Sequence, residues 1–149
     1  MERDIMRRNL LFASLLLVAS WPFATQTPKP GADEAAVRAV IERYLHGLKF
    51  NDTTSLREAF WPEARLYYAK PDSQIGEWTQ AKWYASFAGS VGREEQGELR
   101  IAALDVTRDI ATAKIIEDYP QSRYTDYLSL LRIKGRWWIV NKVYSAEKR

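Results

Sequence analysis

Of the acids in this chain, Asp126 is the one whose surroundings could turn a carboxylate to chemistry. It lies in Arg123-Tyr124-Thr125-Asp126-Tyr127-Leu128, ahead of Arg136-Trp137-Trp138-Ile139-Val140-Asn141, and both segments read as strands joined by the two-residue turn Lys134-Gly135. Pairing Ile133 with Arg136 across that turn sets Leu131 opposite Trp138 and Leu128 opposite Asn141. One face of the hairpin then carries Tyr124, Asp126, Leu128 and Leu130 with Trp137, Ile139, Asn141 and Val143. A carboxyl group in such apolar company is costly unless hydrogen-bonded, and Asn141, diagonally across, is expected to donate that bond. Acids enclosed by apolar groups hold their protons more firmly than in water, the condition that suits a carboxylate to abstract a proton near neutral pH. The chemistry so indicated is general-base catalysis by Asp126, with Asn141 beside the developing negative charge. The competing reading is structural, an acid that caps backbone amides or pairs with Arg123.

Glu117 and Asp118 are the next acids on a strand, and a one-residue slip in the turn around Pro120 exchanges which of them faces inward. Either could join Asp126 as a carboxylate pair; the alternative is a solvated position near a turn. Tyr44, Trp61, Tyr67, Trp78, Trp83 and Tyr124, with Leu128 and Trp137 from the hairpin face, are expected to wall a pocket for a small apolar or aromatic molecule. There, rings supply stacking area and a Tyr hydroxyl could steady an oxyanion. The competing reading for each ring is plain core packing. His46, the single histidine, points about 200 degrees from Tyr44 on a helix and so into solvent. No Asp/Glu/His spacing suits a metal, no Gly-rich loop suits a phosphate, and no cofactor is expected. Without cysteines there is neither a disulfide framework nor a thiolate.

The elements that must position these residues fall in an α+β order. Val37, Val40, Ile41, Tyr44, Leu45 and Leu48 recur at helical spacing, with Asp33 as N-cap and an end near Phe50. Asn51-Asp52-Thr53-Thr54 is turn chemistry, and Ser55-Leu56-Arg57-Glu58 fits a capping box opening a short helix that Pro62 ends. A brief strand, 65–69, and a loop, 70–78, lead to a third helix capped by Thr79, with Trp83, Tyr84, Phe87 and Ala88 on one face and Gly89 as its stop. The period then changes to two, giving four strands at 98–107, 111–119, 123–133 and 136–144. Arg108-Asp109 and Lys134-Gly135 suit tight hairpins, and Pro120-Gln121-Ser122 a slightly longer one. Helices first and a strand meander last predict an antiparallel sheet of about four long strands plus a short one, wrapped around three N-terminal helices.

The hairpin's other face carries Tyr127, Leu131 and Ile133 with Trp138, Val140, Lys142 and Tyr144. Both faces are too apolar to leave in water. Helices cover one, and a second copy of the chain is the economical cover for the other, which predicts a homodimer.

At 149 residues, 46% hydrophobic and 28% charged, the chain has room for one domain. Its start reads as an export signal: Arg3, Arg7 and Arg8 precede the apolar run Leu10 to Ser20, and Val18-Ala19-Ser20 supplies small residues for cleavage. Residues 1–20 are thus expected to be a signal peptide, 21–32 a tether and 33–146 the domain, in a periplasmic or secreted protein. The apolar run is shorter than a membrane span, and retention as an anchor is the alternative. Cleavage removes three Arg, one Glu and one Asp, taking the net charge from +3 to +2. Basic residues are scattered among acidic ones, which argues against a nucleic-acid partner.

Three segments together resemble a known family: Tyr44-Leu45-His46-Gly47-Leu48-Lys49-Phe50-Asn51-Asp52, Ala59-Phe60-Trp61-Pro62-Glu63-Ala64, and the closing hairpin from Arg123 to Val143. Over residues 35–144 the chain resembles the SnoaL-like, or nuclear-transport-factor-2-like, cone-fold superfamily, and within it the branch called putative lumazine-binding. The resemblance implies a strongly bent sheet around the helices, a mainly apolar pocket inside the cone, and dimerisation through the outer sheet face. Members include ketosteroid-isomerase-like enzymes, polyketide cyclases, dehydratases and binding domains without catalysis, so the fold does not give the function. Many members carry a His where this chain has Trp61, which removes a proton donor from the pocket rim and weakens the case for acid–base catalysis. The expectation is therefore an exported small-molecule-binding domain. One alternative is an isomerase, cyclase or dehydratase with Asp126 as base, and another is an interaction module acting through the outer face with Trp138 and Tyr144.

Overall fold

A computed structural model describes residues 31–149. The proposed signal peptide and nearly all of the tether lie outside the described residues. Helix α1 spans Ala32–Lys49. Its N-cap is Gly31, held at φ 91°, and its first helical bond runs from Ala35 N to Gly31 O at 3.0 Å. Asp33 is therefore not the cap. It sits in the first turn, where its carboxylate accepts from Arg132 at 2.7 Å and favours the helix dipole. Val37, Val40, Ile41, Tyr44 and Leu48 are buried along one stripe, while His46 faces solvent.

Helix α2, Thr53–Ala59, begins earlier than the Ser55 box suggested. Asp52 caps it, accepting from Thr54 N at 2.9 Å and from Ser55 Oγ at 2.6 Å. Pro62 does not end this helix. It lies inside strand β1, Phe60–Ala69, where the ladder to the neighbouring strand is interrupted between Phe60 and Arg65, a gap that suits a residue without an N–H. The expected loop 70–78 instead contains strand β2, Ile75–Thr79, hairpinned on β1. A Cβ on Gly76 would lie 2.2 Å from the Tyr68 ring, so a larger residue there would have to displace that ring. Helix α3, Gln80–Ala85, is capped by Thr79 Oγ1 and ends before Gly89.

Strands β3 (Glu98–Thr107), β4 (Ile110–Tyr119), β5 (Ser122–Ile133) and β6 (Arg136–Lys148) follow the expected meander. The sheet order is β2-β1-β6-β5-β4-β3. Every pairing is antiparallel except β1 with β6, which is parallel. Lys134 (φ 50°) and Gly135 (φ 79°) form the tight turn between Ile133 and Arg136, both in the left-handed region that a two-residue hairpin of this kind demands. The β4–β5 turn is Pro120-Gln121, since Tyr119 pairs with Ser122, one residue shorter than expected.

The helices fill the concave side of this curved sheet. Val37, Ile41 and Tyr44 meet Ala111, Ala113 and Ile115 of β4, Leu128 and Leu130 of β5, and Trp137 and Ile139 of β6 in one buried cluster. On the convex side Tyr127 (56% exposed), Ile110 (53%) and Val143 (47%) stay open.

Candidate functional site

Strand β6 carries one residue too many for its partner. Leu130 pairs with Ile139, but Ser129 pairs with Asn141, so Val140 is the extra residue of a bulge. A bulge bends the strand and reverses the alternation beyond it. Lys142, not Asn141, then pairs with Leu128 on the inward row, and Tyr144 pairs with Asp126. The expected Leu128–Asn141 pairing holds only for an unbulged ladder. Asn141 shares the outward row with Ser129 and is not the donor to Asp126.

Lys142 is 5% exposed and Asp126 fully enclosed. Lys142 Nζ lies 2.7 Å from Asp126 Oδ2 and donates to Tyr44 Oη at 2.7 Å. The Tyr44 hydroxyl is hydrogen-bonded to Asp126 Oδ2 and also contacts Glu117 Oε1 at 3.1 Å. Tyr119 Oη donates to Glu117 Oε2 at 3.1 Å, and Glu117 Oε1 is 3.8 Å from Lys142 Nζ. The short β4–β5 turn settles the parity that the sequence left open: Glu117 is inward and 3% exposed. Asp118 turns out to Arg123 at 2.6 Å and Arg149 at 2.5 Å. Arg123 therefore partners Asp118, whose carboxyl it holds below the ordinary range by hydrogen bond and charge, and not Asp126.

Burial drives the Glu117 carboxyl up to about 8. The Lys142 ammonium opposes this, and Asp126 reinforces it by charge and by hydrogen bond. Burial, then the Asp126 and Glu117 carboxylates, hold the Tyr44 hydroxyl far above its ordinary value. For Lys142 burial works downward, yet the two carboxylates outweigh it and the net shift is upward. At neutral pH Glu117 thus keeps its proton, Lys142 is an ammonium, and Tyr44 and Tyr119 are neutral phenols.

This cluster forms the floor of a cavity of about 720 Å³. Glu117, Lys142 and Tyr119 reach the wall, along with Leu66, Trp78, Trp83, Phe87, Tyr124 and Tyr144. Trp78 Nε1 donates to Tyr144 Oη at 3.2 Å, and the Tyr124 and Tyr144 rings stand 6.3 Å apart. The mouth is edged by the segment after α3. Asn51 donates to Arg93 O and Glu95 Oε1, both at 2.8 Å, and Lys49 donates to Glu95 O at 2.6 Å.

The residues expected at the site divide. Trp78, Trp83 and Tyr124 face the cavity, and Tyr44 reaches the cluster from α1. Asp126 lies behind the wall, not on it. Trp61 is not at the cavity but packs edge-on against Trp138, 5.8 Å between centroids. Tyr67 pairs with Val143 on the outward row, because Leu66 opposite Lys142 takes the inward place. Leu128 and Trp137 are core beneath the helices and do not line the cavity. Sequence reasoning missed Lys142 and Tyr119. The signal for Lys142 was the polar pair Asn141-Lys142 interrupting an apolar strand, two candidates for one inward place.

Among the described residues no group of three or more His, Cys, Asp or Glu side chains is arranged to hold a metal ion, and no helix is long and apolar enough to cross a membrane.

Residues 32–145 match the family model described as putative lumazine-binding. Aldolase FrzH from Cladobotryum sp. is 24% identical over 115 residues, which span 76% of this chain and 91% of that protein. An NTF2-like protein of unknown function from Shewanella baltica OS155 superposes with a TM-score of 0.73 at 24% identity, covering 81% of this chain and 98% of that one. A second NTF2-like protein of unknown function, from Silicibacter pomeroyi DSS-3, gives 0.70 at 23% identity, covering 80% and 100%. A ketosteroid isomerase-like protein from Erwinia carotovora atroseptica gives 0.57 at 14% identity, covering 75% and 94%. At these identities the superpositions speak for the fold alone.

Proposed function

We propose, from the premise that this chain belongs to the putative lumazine-binding family, that it is an exported domain holding a small, flat, largely apolar or aromatic molecule in the cone cavity. The observation that carries this reading is a cavity of about 720 Å³ walled by Trp78, Trp83, Phe87, Tyr124 and Tyr144, with Glu117 and Lys142 as polar groups at its base. Ligand pockets are typically of this make-up, apolar walls with a few convergent polar groups, at roughly 300–1,000 Å³. Export rests on the basic start and the apolar run Leu10 to Ser20. Pairing of two copies rests on the open convex row of Ile110, Tyr127 and Val143.

Thermal shift of the purified protein against a panel of planar aromatic and carbonyl compounds, lumazine included, tests the ligand reading. A bound compound raises the melting temperature by mass action. No shift across the panel would move the function to the outer sheet face.

A second reading is acid–base turnover of a bound carbonyl compound. It is favoured by Glu117, which keeps its proton up to about pH 8 beside Lys142, and by the likeness to a protein named an aldolase. Asp126, fully buried, would then stand behind Glu117 and partner it. Measured turnover lost in both Glu117→Gln and Asp126→Asn, with affinity kept, is the outcome this reading requires.

A further inference from the structure

We propose that the cavity floor recognises an acceptor oxygen, the carbonyl oxygen of a planar ligand, through the Glu117 carboxyl proton and an N–H of Lys142. This deepens the small-molecule reading above and rests on it. The inference begins with a count of protons and charges. Two carboxyl groups, Glu117 and Asp126, share a buried cluster with one ammonium. Were both ionised, the floor would carry an uncompensated negative charge in a poorly solvated place, which is costly. One added proton makes it neutral.

Hydrogen bonding needs the same proton. Tyr44 has a single hydroxyl hydrogen for two contacts, Asp126 Oδ2 and Glu117 Oε1, so it satisfies only one at a time. Asp126 Oδ1 is buried with no partner among the described residues. A hydrogen on the Glu117 carboxyl can serve Asp126, or turn to an acceptor entering the cavity. Lys142 has the complementary property. Two of its three N–H groups are committed, to Tyr44 Oη and Asp126 Oδ2 at 2.7 Å each, and Glu117 Oε1 at 3.8 Å is too far to take the third as a hydrogen bond. The wall thus offers two donors. A ligand oxygen satisfies both, whereas a ligand ammonium meets Lys142 as a like charge.

The groups that set this proton are Tyr44 from α1, Tyr119 from β4, Asp126 from β5 and Lys142 from β6. Arg93, Glu94 and Glu95 stand farther out at the mouth. Burial holds the Glu117 carboxyl up at about 8, so recognition weakens above that pH.

The test is a titration of the full chain with three naphthalenes of equal ring size, 2-acetylnaphthalene, 2-methylnaphthalene and 2-(aminomethyl)naphthalene, read by quenching of tryptophan fluorescence. At pH 6.5 the acetyl compound is expected to bind about ten-fold more tightly than the methyl compound, with the amine weakest. Between pH 6.5 and 9.5 the acetyl preference falls in the wild type and stays flat in Glu117→Gln. Equal affinities for all three, a preference for the amine, or a wild-type preference that does not change with pH overturns the proposal even if the variant fails to fold. Binding of none of the three removes the pocket reading beneath it.

Discussion

Lys142 and Asp126 stand diagonally across the β5–β6 ladder, and the ammonium closes on the carboxylate at 2.7 Å. The contact exists only because Val140 is left unpaired. An even ladder would send Lys142 to the convex face and leave Asp126 with an amide neighbour in place of a cation.

Replacing Lys142 by Met removes the cation that meets a buried pair of carboxyl groups. Breaking a buried pair from one side costs about 3–5 kcal/mol. Urea denaturation of Lys142→Met is expected to show a loss of that size. The double variant Lys142→Met/Asp126→Asn should recover part of it, and strict additivity of the two single losses would mean that the pair is not coupled.

Stability should depend on pH through Glu117. Its folded value, raised by burial to about 8 from the ordinary 4.5, lies above that of the unfolded chain, so the native state holds a proton that the unfolded state has released. The stabilisation is complete below pH 4.5 and is lost as pH rises through 8, with a slope of at most about 1.4 kcal/mol per pH unit. Glu117→Gln should flatten unfolding free energy against pH within that window. An unchanged slope would place the titrating group elsewhere.

Tyr44→Phe keeps the ring that packs 5.4 Å from Phe60 and deletes only the hydroxyl that bridges Lys142 and the two acids. Loss of a buried hydrogen-bonding partner costs about 1–3 kcal/mol. The variant is expected to fold, to melt lower, and to show the unfolding slope above displaced in pH. A melting temperature equal to wild type would show that the hydroxyl is dispensable.

On the convex face, Tyr127→Glu with Leu131→Arg places charges where two copies would meet. Both sites are exposed, so a monomer should lose no more than about 0.5 kcal/mol at each. Sedimentation should show a dimer for the wild type and a monomer for the double variant. A wild type that sediments as a monomer at high concentration ends the pairing proposal.

Local chemistry made much of this molecule legible in its sequence. The stripe Val37 to Leu48, the Thr79 cap, the Arg108-Asp109 and Lys134-Gly135 turns and the bounds of Glu98–Thr107 depend on nearest neighbours and on periods of 3.6 and two. Those hold whatever the rest of the chain does. The inward placement of Asp126 followed likewise, from its own strand's alternation with Leu128 and Leu130.

What the tertiary structure decided was every parity set by a distant partner. Glu117 rather than Asp118 faces inward because the turn is Pro120-Gln121, and Lys142 displaces Asn141 because the curved sheet takes up an extra residue at Val140. Tyr67 is turned outward, and Leu66 inward, by the parallel seat of β1 against β6. In each case a single residue of register exchanges the two faces of a strand, and register is set by curvature and by the neighbouring strand, neither of which the segment itself encodes.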